Sequence, residues 1–421
     1  MSAQSIVITG IGVVSSIGAG VERFGDALYQ GACGVRNFAG PPPFAAALLD
    51  DFDASAFVDG LSACPTATRQ RAKRLWRHST YSARVTGAAA MEAWFSAGCT
   101  EAEGANRTGI VTGGNNTSQQ YLAEAFQLFS DTPEYLSPRH AFLAMDTHPM
   151  SQISEILEIH GFGLTTGAAS ASGNAALWNA RQLLLSGAAD RILVCGVCQE
   201  LSPLERQAYT IMGAMAVSDP AADPGAVYRP FDCASRGFVA GEGSACVVLE
   251  TGESAAARGA SVWAVVPGAS LLLDGSHLPH TSVEGERRAM SKALLEAGLQ
   301  PQQIDLVSAH GSGSEQGDRV ECEALSEVFG DSKPWVNSTK SLTGHCLTAA
   351  GLVEIAACVL QMRRGFVHAN RNLDRPIDPR IRFAGPEAID APVRNILSNS
   401  FGFGGINSSV ILSHSERLDS P

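Results

Sequence analysis

Short apolar, β-branched runs alternate with alanine-rich helical stretches along the whole chain. The runs are SIVITGIGVV (5–14), RTGIVTGG (107–114), DRILVCGV (190–197), SACVVLE (244–250), SVWAVVPGAS (261–270), DLVSAHGS (305–312), VRNILSNSFGFGG (393–405) and SSVILSHS (408–415). Strands of this kind separated by helices predict an α/β protein built on buried sheets. The order of elements also suggests a duplication. In the first half, GAASASG (167–173) leads into the helical stretch NAALWNARQLLLSG and then the strand RILVCGV. In the second, KSLTGHCLTAAG (340–351) leads into LVEIAACVLQMRRG and later a strand ending in FGFGG. The pattern places the boundary between halves near residue 255, giving segments 1–255 and 256–421. The proline cluster and acidic residues of GPPPFAAALLDDFDASAF (40–57) predict a surface loop.

A chain of 421 residues exceeds the usual single-core size. Hydrophobic content of 45% with 43 glycines describes a packed, enzyme-like globule. The formal charge of −12 argues against nucleic acid as a partner, because phosphate binding needs a basic face. One stretch runs against that charge: RQRAKRLWRH (69–78) carries Arg69, Arg71, Lys73, Arg74 and Arg77. It is either a solvated helix face or a docking site for an acidic partner. The start of the chain lacks a basic leader, and no apolar stretch approaches the ~20 residues of a membrane span. The ten cysteines are scattered, mostly in apolar segments, which fits a reducing, cytoplasmic setting. Cys195 and Cys198 form a C-x-x-C pair without a second pair or a histidine at zinc spacing, so no metal is expected.

Four glycine-rich turns carry the candidate chemistry, and they cluster where sites of α/β proteins form, after strand-like runs. Ser170 opens a helix, whose N-terminus favours negative charge. His310 precedes the loop GSGSEQGDRVE, Lys340 and His345 lie in STKSLTGHCLTAAG, and the turn NSFGFGG allows close backbone approach.

These motifs, in this order and over nearly the whole chain, resemble the β-ketoacyl-acyl-carrier-protein synthases, or ketosynthases, of the thiolase superfamily. The resemblance implies an αβαβα layered thiolase-like fold of two duplicated halves and a homodimer or a paired heterodimer. It implies that substrates arrive on the phosphopantetheine of an acyl carrier protein, with no other cofactor. The family's catalytic cysteine falls on Ser170 in AASASG. Its two histidines fall on His310 and His345, its lysine on Lys340, and its supporting acid on Glu321. Phe403 matches the gate, its backbone N–H joining that of Ser170 as an oxyanion hole. Ser312 and Ser314 stand where the family has two pantetheine-binding threonines. The basic run 69–78 falls where relatives dock their carrier protein.

Serine changes the chemistry. A thiol titrates near ~8.5, within reach of a helix N-terminus, whereas a serine hydroxyl needs a general base. Self-acylation should be severely weakened, while the histidines and Lys340 that the family uses to decarboxylate a malonyl thioester are retained. The resemblance is nearest to free-standing Cys-to-Ser ketosynthases of polyketide β-branching cassettes, which convert malonyl-carrier protein to acetyl-carrier protein for a 3-hydroxy-3-methylglutaryl-synthase-like partner. Three alternatives stay open: a condensing 3-oxoacyl synthase with a natural or introduced serine, a non-catalytic chain-length-factor-like partner of an active ketosynthase, and a serine acyltransferase or esterase using Glu321 or Asp318 behind a histidine. Met212 and Met215 either close an acyl tunnel or pack in the core.

Overall fold

A computed structural model describes residues 5–39, 43–99, 107–217, 222–277 and 281–415. Every run predicted as a strand forms one. They join in a long sheet whose order from one edge is Trp335–Asn337, Leu306–Ser308, Asn395–Gly402, Ile406–Ser413 and Ala264–Leu273, then Ile6–Ser15, Gly243–Thr251, Arg191–Gly196, Thr108–Gly113 and Gly163–Thr166. The two sets of five meet only at Val7 opposite Val265 and Ile8 opposite Ala264. Each set shows the same pairing from its outer edge inward: two parallel pairings, then two antiparallel ones.

Helices complete five layers. Tyr81–Ser96 covers the outer face of the first five strands, and Val283–Ala297 with Glu315–Phe329 covers that of the second five. Ser172–Leu185 and Ala350–Arg364 lie between the two sets and touch strands of both. This middle layer is apolar almost all round, as its double burial requires: Leu352, Val353, Ile355, Ala356 and Val359 are all buried. The fold is therefore the αβαβα arrangement that the family resemblance implied.

The duplication extends to small details. Strand Ile6–Ser15 carries a bulge between Ile8 and Gly10, and Ala264–Leu273 carries one between Val265 and Gly268. Pro267, which cannot donate to a ladder, sits inside the second bulge. Just beyond each bulge a glycine lies under an outer helix. A Cβ on Gly10 would stand 2.3 Å from the Ala93 carbonyl oxygen, and one on Gly268 would stand 2.3 Å from that of Ala293. Gly10→Ala must therefore push helix and sheet apart. The expected cost is about 1–3 kcal/mol, read as a lower urea-unfolding midpoint.

Two expectations need correction. Outside Gly40–Pro42, which lie beyond the described residues, the segment predicted as a surface loop is structured. Ala45, Ala46 and Ala47 are buried, Phe44–Ala46 is a strand, and Asp53 caps the helix Ala54–Asp59 through the N–H groups of Ser55 and Ala56. Ala45 and Ala47 are small enough to pack in one cluster with Phe238 and Val239, an effect that the flanking prolines mask in the sequence. Met215 is buried in that same cluster and Met212 is exposed, so neither closes a tunnel. Cys195 and Cys198 are fully buried in the core. Among the described residues, no helix is long and apolar enough to cross a membrane.

Candidate active site

Ser170 sits on a single 3-10 turn, Ala169–Ala171, that runs directly into the central helix Ser172–Leu185. Ala169 adopts φ 48°, a left-handed conformation that costs a non-glycine residue energy and recurs at functional turns. The Ser172 hydroxyl holds the turn, accepting from the Ala168 N–H at 2.8 Å and donating to the Ala169 carbonyl at 2.7 Å. The second half repeats this device: Leu347, at φ 50°, opens the 3-10 turn Leu347–Ala349 ahead of Ala350–Arg364. A Cβ on Gly402 would lie 2.5 Å from the Ala168 carbonyl, so only glycine lets the FGFGG turn close onto the serine turn.

The fold brings Ser170, His310, His345 and Phe403 to one cavity of about 150 Å³, with Ser312, Ser314 and Glu321 also in its wall. The imidazole rings are 5.7 Å apart and nearly perpendicular, at 81°. Lys340 stands behind His310, buried to 1% exposure. Its ammonium donates to Nδ1 of His310 at 3.4 Å, to the His310 carbonyl, and to Glu354. All three ammonium protons are thereby engaged. Burial pushes the Glu354 carboxyl up, and Lys340 pulls it back.

The hydrogen bonds fix both histidine tautomers. Leu347 N–H donates to Nδ1 of His345 at 3.1 Å, so the neutral ring carries its proton on Nε2. That Nε2–H faces the Ser170 hydroxyl at 3.0 Å, with Oγ accepting. His310 receives Lys340 on Nδ1 and so also carries its proton on Nε2. Burial, reinforced by the Lys340 charge, holds both rings well below their ordinary pKa, and they stay neutral. The cavity thus presents two neutral N–H donors and no base aimed at the serine.

The carboxylates proposed as triad partners are committed to the backbone. Glu321 accepts from His310 N–H and Gly311 N–H, each at 2.8 Å, and from the Asn399 amide at 3.1 Å. Asp318 accepts from Phe231 N–H at 2.6 Å and Gly313 N–H at 3.1 Å. Glu321 therefore supports the His310 loop and does not touch the imidazole, and the serine-hydrolase alternative lacks its orienting acid.

Other cavity residues escaped sequence reasoning. Gln199 donates to the Asn116 carbonyl and the Gln119 side-chain oxygen, each at 3.3 Å, and lines the cavity with Asn115. Of the four cations on helix Thr66–Trp76 and Arg77 at its C-cap, Arg69 donates to the Leu61 carbonyl, Arg71 pairs with Glu158 and Lys73 with Asp59. Arg74 and Arg77 are exposed. Among the described residues no cluster of His, Cys, Asp and Glu could hold a metal ion.

A five-layered, internally repeated fold with a nucleophile turn, two histidines and a buried lysine around one cavity defines a ketosynthase. The chain belongs to that family: residues 3–255 match the beta-ketoacyl synthase N-terminal domain and residues 263–374 the C-terminal domain. Among individual proteins, it is 36% identical to the polyketide biosynthesis malonyl-ACP decarboxylase PksF of Bacillus subtilis, across 98% of this chain and 97% of that one. It is 29% identical to 3-oxoacyl-[acyl-carrier-protein] synthase 2 of Coxiella burnetii, across 98% and 99%. The solved ishigamide ketosynthase/chain length factor superposes with a TM-score of 0.86 at 29% identity, across 97% of this chain and 98% of that one.

Proposed function

We propose that the protein decarboxylates malonyl-acyl carrier protein to acetyl-acyl carrier protein in polyketide biosynthesis and does not condense acyl chains. The observation that carries this is the His345 tautomer: its Nε2–H points at Ser170, so it donates to the hydroxyl and cannot take its proton. A malonyl thioester placed in the cavity sets its carbonyl oxygen against the N–H groups of His310 and His345. As carbon dioxide leaves, charge moves onto that oxygen, and each preorganised donor lowers the barrier by about 2.7–4 kcal/mol. Ser170 and Phe403 line the same cavity and are assigned the oxyanion hole through their backbone N–H groups, and Ser312 and Ser314, also in its wall, are assigned the contacts to the pantetheine arm.

The amides near Ser170 support the same assignment. Asn115, Asn116, Gln119 and Gln199 would lose hydrogen-bonding options against an alkyl chain, so this wall suits a small polar acyl group better than a growing apolar one. The chain-length-factor alternative does not explain why both histidines and the lysine retain a complete hydrogen-bonded arrangement. The name of the Bacillus relative agrees with the decarboxylase assignment. A 3-hydroxy-3-methylglutaryl-synthase-like enzyme is the proposed consumer of the acetyl group. The test is incubation with malonyl-carrier protein, with the carrier followed by mass spectrometry for loss of carbon dioxide.

Two surfaces bear on partners. The edge strand Gly163–Thr166 leaves Leu164 exposed, and the helix Gln119–Asp131 exposes Phe126 and Phe129. An open edge suits a second copy of the chain, and we assign the homodimer to this edge, with the exposed aromatics as a further apolar surface. For the carrier protein, Arg74 and Arg77, at the end of the basic helix, are the two of its cations left exposed with no ion pair among the described residues. Reversing both to glutamate is expected to raise KM for malonyl-carrier protein, more strongly at low salt, with kcat little changed in steady-state assays.

A further inference from the structure

Glu286 lies in the first turn of helix Val283–Ala297, fully buried, in the wall of the same cavity as His310 and Glu321. Among the described residues, neither of its carboxyl oxygens has a hydrogen-bond partner. The Thr281 hydroxyl oxygen, also in the cavity wall, is likewise buried and unpartnered. Buried polar groups left unmatched are costly and call for an explanation. Packing offers none, because Glu286 falls on the stripe formed by Ala289, Met290, Ala293, Leu294 and Ala297, where an apolar side chain would serve. Burial and the acidic neighbours Glu321, Asp274 and Asp318 push its carboxyl well above the ordinary carboxylate range.

Decarboxylation has a need that condensation lacks. A condensing enzyme spends the enolate on an acyl carbon, whereas a decarboxylase must place a proton on C2. The other groups in the wall are poor sources. The two imidazoles are neutral, very weak acids, and their N–H groups are required at the thioester oxygen. The Ser170 hydroxyl is no stronger, and burial pushes the Tyr209 phenol up. Burial pushes the Glu321 carboxyl up as well, but both of its oxygens are tied to N–H donors, of His310, Gly311 and Asn399, and so are not free to reach C2. Lys340 has all three donors engaged.

Resting on the decarboxylase assignment above, we propose that Glu286 is the proton donor that quenches the malonyl-derived enolate in the cavity. The bond between C2 and the carboxylate breaks, carbon dioxide leaves, and the electron pair enters the enolate. C2 then takes the proton of the Glu286 carboxylic acid, forming the third C–H bond of the acetyl methyl group. The Glu286 carboxylate regains a proton from water, so one proton is consumed per turnover.

The experiment gives wild-type protein and Glu286→Gln malonyl-carrier protein in buffer containing ¹³C-bicarbonate. Mass spectrometry follows acetyl-carrier protein and ¹³C entering unreacted malonyl-carrier protein. Wild type should form product with little exchange. The glutamine variant should form product about 10²-fold more slowly, the usual worth of a general acid. Its ratio of exchange to product should rise at least about tenfold, since an unquenched enolate recaptures carbon dioxide. Glu286→Met, suited to the apolar stripe, should show the same rise and serves if the glutamine variant folds poorly. A wild-type rate in the variants, or a slower rate with an unchanged ratio, would overturn the role of Glu286 while leaving the decarboxylase assignment standing. Failure of the wild-type protein to form acetyl-carrier protein would overturn that assignment itself.

Discussion

Replacing His310 or His345 with alanine is expected to lower kcat for acetyl-carrier-protein formation by about 10²–10³-fold in each case. Each replacement removes one N–H donor from the oxygen on which charge accumulates, in a cavity where the replacement leaves no other donor of the same geometry. Both rings already sit neutral, with Nδ1 occupied by Leu347 N–H or by Lys340, so they need no reorganisation as charge develops. The double variant should lose less than the product of the two single effects, because the donors act on one oxygen. KM for malonyl-carrier protein should change little, since these bonds strengthen in the transition state. Single-turnover kinetics on the purified variants separate the two parameters. A KM effect with unchanged kcat would place the histidines in substrate binding instead.

The second large effect concerns folding. Glu354→Gln should lower stability by about 3–5 kcal/mol, because it leaves the Lys340 ammonium buried without its carboxylate. The measurement is the urea-unfolding midpoint followed by tryptophan fluorescence. A Lys340→Met/Glu354→Leu double variant should recover much of that loss, since two apolar side chains of similar volume replace both charges. It should nevertheless stay impaired in decarboxylation, because Nδ1 of His310 then has no partner fixing its proton on Nε2. Recovery of stability without activity would separate the two roles of the lysine.

Much of this architecture is readable from residue patterns, because the long strands are dense in valine and isoleucine and the middle helices are apolar on every face. Gly163–Thr166 and Trp335–Asn337 are too short to show a period, and pairing with a neighbouring strand creates them. The catalytic positions are legible from their motifs and their order along the chain. The chemistry they permit is not, because it depends on which ring nitrogen is free. That is decided by the Leu347 N–H, which a left-handed backbone aims at His345. Glu354 and Glu286 look like ordinary surface charges in a linear reading. The signal that could have found them is position, since each interrupts an apolar helical face. The basic helix fails for the converse reason: Arg71 pairs with Glu158, which is distant in sequence, so a count of cations overstates the surface available to a partner.

The central claim is that Ser170 occupies a nucleophile position without acting as a nucleophile. Its most direct test incubates wild-type protein and Ser170→Ala with malonyl-carrier protein and records intact masses of both enzyme and carrier. Both forms should convert malonyl-carrier protein to acetyl-carrier protein at similar rates, with no mass added to the enzyme. An acyl group found on Ser170, a β-ketoacyl-carrier product, or loss of decarboxylation in the alanine variant would contradict it.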